Sequence, residues 1–117
     1  MEIQPTDFGS AIPVDGYGPG FFRVGEIVYH GAILVTQGKV QPWAGLDDRA
    51  PLLALAGQVD VLFIGMGPEI GRVPADLVAA LEARGVMVEA LASPTAARIY
   101  NVTLSEGRRV ACALIPV

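Results

Sequence analysis

Cysteine and histidine each occur once in this chain of 117 residues, as Cys112 and His30. A single thiol cannot close an internal disulfide, and one thiol with one imidazole cannot furnish a Cys/His metal cage, so the residues imply no metal and no other cofactor. Basic residues are also scarce, eight Lys and Arg against twelve Asp and Glu, for a net charge of −4. That balance argues against nucleic acid as a partner, because phosphate-backbone binding needs a basic footprint to displace counterions. The only adjacent basic pair is Arg108-Arg109. No apolar run approaches the roughly 20 residues that would cross a bilayer, which excludes a helical membrane span. Met1–Asp7 shows neither a basic region followed by an apolar stretch nor an Arg-rich amphipathic pattern, so the expected compartment is the cytoplasm.

What the chain has in abundance is apolar surface. Hydrophobic residues make up 52% and charged ones only 17%, with a mean hydropathy of +0.48. Little polar material is left to coat the outside, so either the core is unusually complete or part of the surface meets a partner. The length suits one domain spanning 1–117, large enough for a real core and too small for two.

Turn residues dominate the first twenty positions, with Pro5, Pro13 and Pro19 among Gly9, Gly16, Gly18 and Gly20. This composition reads as a surface loop. From Phe21 the pattern changes to strands: Phe21–Val24 and Ile27–His30 flank Gly25-Glu26, a two-residue loop suited to a tight hairpin. Ala32–Thr36 continues as a third strand, Gly38 marks a turn, and Lys39–Gln41 makes a fourth before Pro42 stops it. The second half alternates. Pro51–Ala56 is a short helix candidate, and Val59–Ile64 is an apolar run typical of a strand covered on both faces. A helix opens at Pro74 and closes at Gly85, with Leu77, Val78 and Leu81 on its apolar face. Val86–Leu91 is a strand. Ser93 reads as the cap of a helix that ends near Gly107, with Ala96, Ile99, Tyr100 and Thr103 on one face, and Val110–Ile115 is the last strand. The expected architecture is α/β, a mixed sheet flanked by helices in three layers, with an amino-terminal antiparallel β meander extending or covering it.

Gly16–Phe21, Tyr29–Val35 with Trp43 beyond it, Ile64–Gly67, and Arg98–Val102 running into Glu106–Ala111 form a further set of segments. Together they resemble one small family, which includes the mitochondrial respiratory complex I assembly factor 3 and many uncharacterised bacterial and archaeal proteins. Their order and spacing carry the resemblance over nearly the whole chain. It implies a three-layer α/β fold on a mixed central sheet and, by analogy with the eukaryotic member, a role in protein assembly. Many members of that family carry Cys immediately before the Arg, where this chain has Ala97, so a thiol mechanism at that position cannot operate here.

Two candidate sites follow. Gly65-Met66-Gly67 leaves a buried strand at what would be its carboxyl edge, and the helix start at Ser93 should open there too, where free N–H groups and the helix dipole favour an anion. Arg98 and Asn101, three residues apart on one helical face with Ser105 beyond, add a guanidinium fork and an amide for a carboxylate or phosphate. Against this ligand-binding set of Gly65, Gly67, Ser93, Arg98 and Asn101 stands a plainer reading. The glycines supply backbone conformations that side chains forbid, and Arg98 pairs with a structural partner. As the one charged residue on a mostly apolar helix, Arg98 is expected to be buried and paired. Tyr17 and Trp43 are candidates for a partner interface, Trp43 being expected to stay partly exposed beside Pro42.

No constellation of nucleophile, base and orienting group is visible. Cys112 lies within a strand, His30 stands alone at a strand end, and the carboxylates Asp47, Asp48, Glu69, Asp76 and Glu82 fall in loops or on helix surfaces. Gly16–Gly20 is not a dinucleotide fingerprint, because it precedes a strand instead of joining strand to helix. The sequence therefore favours a non-catalytic protein-interaction or assembly module, with a protein partner expected and self-association left open. The alternative is a small-anion or small-ligand binder or enzyme using the Gly65–Gly67 loop and the start of the Arg98 helix.

Overall fold

The computed structural model describes residues 12–37 and 39–117. In chain order the elements are β1 (Val14–Gly18), β2 (Phe21–Val24), β3 (Ile27–His30), β4 (Ile33–Thr36), β5 (Lys39–Pro42), α1 (Ala50–Leu53), β6 (Val61–Met66), α2 (Ala75–Glu82), β7 (Met87–Leu91), α3 (Ser93–Ser105) and β8 (Val110–Ile115). They form a five-stranded mixed sheet in the order β5-β4-β8-β6-β7 and a separate antiparallel meander β1-β2-β3. Parallel pairs join β6 to β7 and β8, as two strand–helix–strand crossovers require, and antiparallel pairs join β4 to β8 and β5.

The three central strands are apolar throughout because both of their faces are covered. Alternate residues divide between two cores. On one side Ile33, Val35, Val61, Phe63, Val110, Cys112 and Leu114 meet α3 and the meander, through Ala96, Tyr100, Phe22 and Val24. On the other, Leu34, Leu62, Ile64, Ala111 and Ala113 meet Leu52 of α1, Leu77 and Leu81 of α2, and Trp43. The mixed sheet is thus the middle of three layers, and the amino-terminal strands both extend it, as β4 and β5, and cover it, as the meander.

Three expectations need correction. Part of the expected opening loop is strand β1, despite its glycines, because Gly16, Tyr17 and Gly18 pair with Arg23, Phe22 and Phe21 across the meander. Tertiary pairing outweighs local propensity there. The four antiparallel strands are not one meander either: the break at Gly31, with φ +86, sends β4 into the other sheet. Helix α3 starts one residue early, with Ala92 as its N-cap and Ser93 already inside the first turn. The expected Gly38 turn and the glycine- and proline-containing stretch before Ile12 lie outside the described residues.

Candidate functional site

Gly65, Gly67 and Ser93 meet, as their place at the carboxyl edge suggested, but the meeting is a closed joint. A Cβ added at Gly65 would lie 2.6 Å from Ser93 Oγ and 2.7 Å from Ser93 Cα. Only glycine lets β6 and α3 approach so closely. The Ser93 side chain is fully buried. Its hydroxyl donates to the Ile115 carbonyl and accepts from the Gly67 N–H at 2.9 Å, while the Ser93 N–H donates to the Gly67 carbonyl at 2.7 Å. Gly67 turns the chain with φ +96, a conformation that glycine adopts without a steric penalty. The first turn of α3 is thus tied to β6 and β8 and does not present an open anion cradle.

Arg98 and Asn101 lie about one and two turns further along α3 and face a different feature. Between α3 and β1 runs an open groove of about 330 Å³, walled by Val14–Tyr17 and by Pro94, Ala97, Arg98, Asn101 and Val102. Asn101 closes its floor with two hydrogen bonds to one residue of the facing strand. Val14 N–H donates to Asn101 Oδ1 at 2.9 Å and Asn101 Nδ2 donates to the Val14 carbonyl at 2.6 Å. The amide side chain thereby stands in for a neighbouring strand. Asp15, on the same wall, is already engaged, accepting from Arg23 Nε at 2.6 Å and from the Glu26 N–H at 3.0 Å.

Arg98, expected to be buried and paired, is exposed and has no ion-pair partner among the described residues. Because α3 covers the sheet with its other face, the guanidinium emerges beside β1 and keeps its hydration without needing a partner carboxylate. Tyr17 is half exposed and Val102 slightly more so, which places two apolar side chains beside that charge. Val102 was not picked out from the sequence, although its i+4 spacing from Arg98 puts the two on one stripe. Ala97, where many members of the resembled family carry Cys, also borders the groove. Ser105 does not; its hydroxyl donates to the Val102 carbonyl.

Trp43 corrects the remaining interface expectation. It is 3% exposed, packed with Leu34 and Leu52, and its indole N–H donates to the Asp48 carbonyl at 3.0 Å. The loop after Pro42 folds back over the sheet and buries the ring, which nothing local in the sequence reveals. Cys112 and Tyr100 are fully buried, and burial pushes both the thiol and the phenol above their ordinary pKa values. Among the described residues no three His, Cys, Asp or Glu side chains converge to hold a metal ion, and no helix is long and apolar enough to cross a membrane.

Residues 14–115 match the family described as "Protein of unknown function (DUF498/DUF598)". An uncharacterised Rhodobacter capsulatus protein is 54% identical over 117 residues, covering all of this chain and 94% of that protein. The human NADH dehydrogenase [ubiquinone] 1 alpha subcomplex assembly factor 3 is 31% identical over 123 residues, covering 99% of this chain and 67% of the human protein. Among solved structures, a Bordetella pertussis protein described as a Mth938-like domain superposes with a TM-score of 0.80 at 27% identity, over 99% of this chain and 92% of that one.

Proposed function

This chain belongs to the DUF498/DUF598 family, and from that premise we propose that it is a non-catalytic interaction module that helps to assemble a protein complex. The groove between β1 and α3 carries this reading. Its exposed apolar side chains, Tyr17 and Val102, flank one cation, Arg98, that has no internal partner among the described residues. Such a surface suits a protein segment that brings an apolar side chain and a carboxylate. The relative named as an assembly factor supports the same role, since its similarity runs over 99% of this chain. The proposed compartment is the cytoplasm, where a lone buried thiol stays reduced.

The test is co-purification from native cells with the intact chain and with two surface variants, Arg98→Glu and Val102→Asp. Thermal melts that match the wild type establish that both variants fold. A partner retained by the wild type and lost from both variants is the expected result. A partner retained equally by all three, or none recovered by the wild type, refutes the assignment to this groove.

A second reading follows from the same unpaired cation: a small carboxylate or phosphate held by Arg98. Ligand binding to the folded state raises Tm by mass action. This reading therefore requires an anion-dependent rise that disappears in Arg98→Ala, and an unshifted wild type excludes it.

A further inference from the structure

Among the described residues four strands form the edges of the two sheets: β1 and β3 in the meander, β5 and β7 in the mixed sheet. An edge strand presents unpaired N–H and C=O groups, and folded proteins usually guard it with a charge, a proline, a bulge or a covering side chain. Three of these edges are guarded. β5 carries Lys39 and Pro42, and β7 carries the exposed Glu89 at its centre. β1 has a register shift between Val14 and Gly16, and Asn101 caps both backbone groups of Val14. Among the described residues β3 has no such device. Ile27-Val28-Tyr29-His30 contains no acidic, Lys, Arg or Pro residue, and its register with β2 is unbroken. Ile27 is 57% and Val28 48% exposed, on opposite faces of the strand.

The direction of the free backbone groups follows from the hairpin. Gly25 and Glu26 have φ of 59° and 70°, so the two-residue loop has positive φ at both central positions, as in a type I′ turn. In such a hairpin the flanking residues, here Val24 and Ile27, exchange hydrogen bonds with each other. By alternation Tyr29 also points its backbone groups at β2, while those of Val28 and His30 point outward. The Gly31 N–H, donating to the Gly20 carbonyl at 3.0 Å, continues the same alternation.

We infer that β3 is a dimerisation edge, pairing antiparallel with β3 of a second copy of this chain about a two-fold axis at Tyr29. Only residues whose groups point outward can exchange bonds, which limits the registers. Centred on Tyr29, Val28 pairs with His30 of the second copy and His30 with its Val28, giving four main-chain hydrogen bonds. Tyr29 then faces its symmetry mate, a close aromatic pair. Centred on Val28, the outer pairs would need Glu26, whose positive φ takes it out of the strand, so fewer bonds form. Charge also favours the second copy. A partner strand finds no fixed charge on β3 to select for, and among the described edge strands β3 alone is without one, so a second β3 meets it with no charge left unmatched. In the Tyr29-centred register the two Glu26 residues stand six positions apart, on the order of 20 Å at strand rise, so repulsion between them is screened. An antiparallel strand paired with itself makes a closed, isologous contact, which joins the two meanders into one sheet and consumes the unguarded edge of each.

Sedimentation equilibrium of the intact chain, from micromolar to millimolar concentration, tests this directly. The wild type should show a monomer–dimer equilibrium, and amide exchange at Val28 and His30 should slow as concentration rises. Val28→Lys should weaken the dimer at least tenfold, whereas Met87→Lys, a change at a somewhat more exposed position on the β7 edge, should leave it intact. A wild type that stays monomeric overturns the inference. So does a dimer that survives Val28→Lys, one that Met87→Lys dissociates as strongly, or one whose Val28 and His30 amides exchange freely. The result is independent of the β1/α3 groove, so either idea can fail without the other.

Discussion

Replacing Ser93 by Ala removes one oxygen from the joint between α3, β6 and β8, and the structure sets the size of the effect. The lost hydroxyl accepts from the Gly67 N–H and donates to the Ile115 carbonyl. Gly67 is buried and Ile115 partly so, and the site of the lost oxygen is closed to solvent. A buried polar group stripped of its partner costs about 1–3 kcal/mol. With the carbonyl partly able to find water, the two together should cost about 2–4 kcal/mol. That is a large share of the 5–15 kcal/mol typical of a domain. The control is Ser105→Ala in the same helix, where an exposed hydroxyl bonds only the Val102 carbonyl, and a change of at most about 0.5 kcal/mol is expected. Urea unfolding monitored by circular dichroism measures both, with the m-value required to stay constant. A second arm uses Gly65→Ala. Its added methyl would press on Ser93 Oγ at 2.6 Å and on Ser93 Cα at 2.7 Å, so the double variant should recover only the part of the loss caused by the oxygen. If Ser93→Ala costs no more than Ser105→Ala, the joint is not a determinant of stability and the reasoning fails.

The Asn101 clip and the buried thiol lead to two further expectations. Asn101→Ala should cost about 1–2 kcal/mol and speed amide exchange at Val14, because both backbone groups of that residue lose their partner. Asn101→Asp should be at least as damaging at neutral pH, where a carboxylate oxygen replaces the donor facing the Val14 carbonyl. It should recover as pH falls below about 4 and the carboxyl protonates; no recovery in an acid titration of the two variants would count against the clip. Burial raises the Cys112 thiol and the Tyr100 phenol, so the folded state holds both neutral while the unfolded chain ionises. Stability from the thiol is therefore fully present below about pH 8.5 and declines above it, by up to about 1.4 kcal/mol per pH unit, with the phenol adding to the decline above about pH 10. Cys112→Ala should flatten the stability curve between those two values, and an unchanged slope would show that the thiol is accessible to solvent in the fold.

Features that rest on local chemistry could be read from the residues alone. The apolar runs of β6 and β8, the Gly25-Glu26 hairpin, the α2 stop at Gly85 and the burial of Phe22 and Cys112 each follow from patterns a few residues long. Local chemistry also assigned the chain one mixed α/β fold, because strand–helix–strand spacing leaves few ways to pack. What depended on distant partners could not be read this way. β1 exists because β2 pairs with it and because Asn101, 87 residues away in sequence, satisfies Val14. Trp43 is buried by the course of its own loop, and Arg98 is exposed by the way α3 faces the sheet. The proposed ligand residues separate for the same reason: Gly65, Gly67 and Ser93 are consumed in a packing joint, while Arg98 and Asn101 turn toward β1. A sequence states which groups want burial, hydrogen bonds or solvent. Only the tertiary structure decides which distant groups satisfy one another, and so which are left free to meet something else.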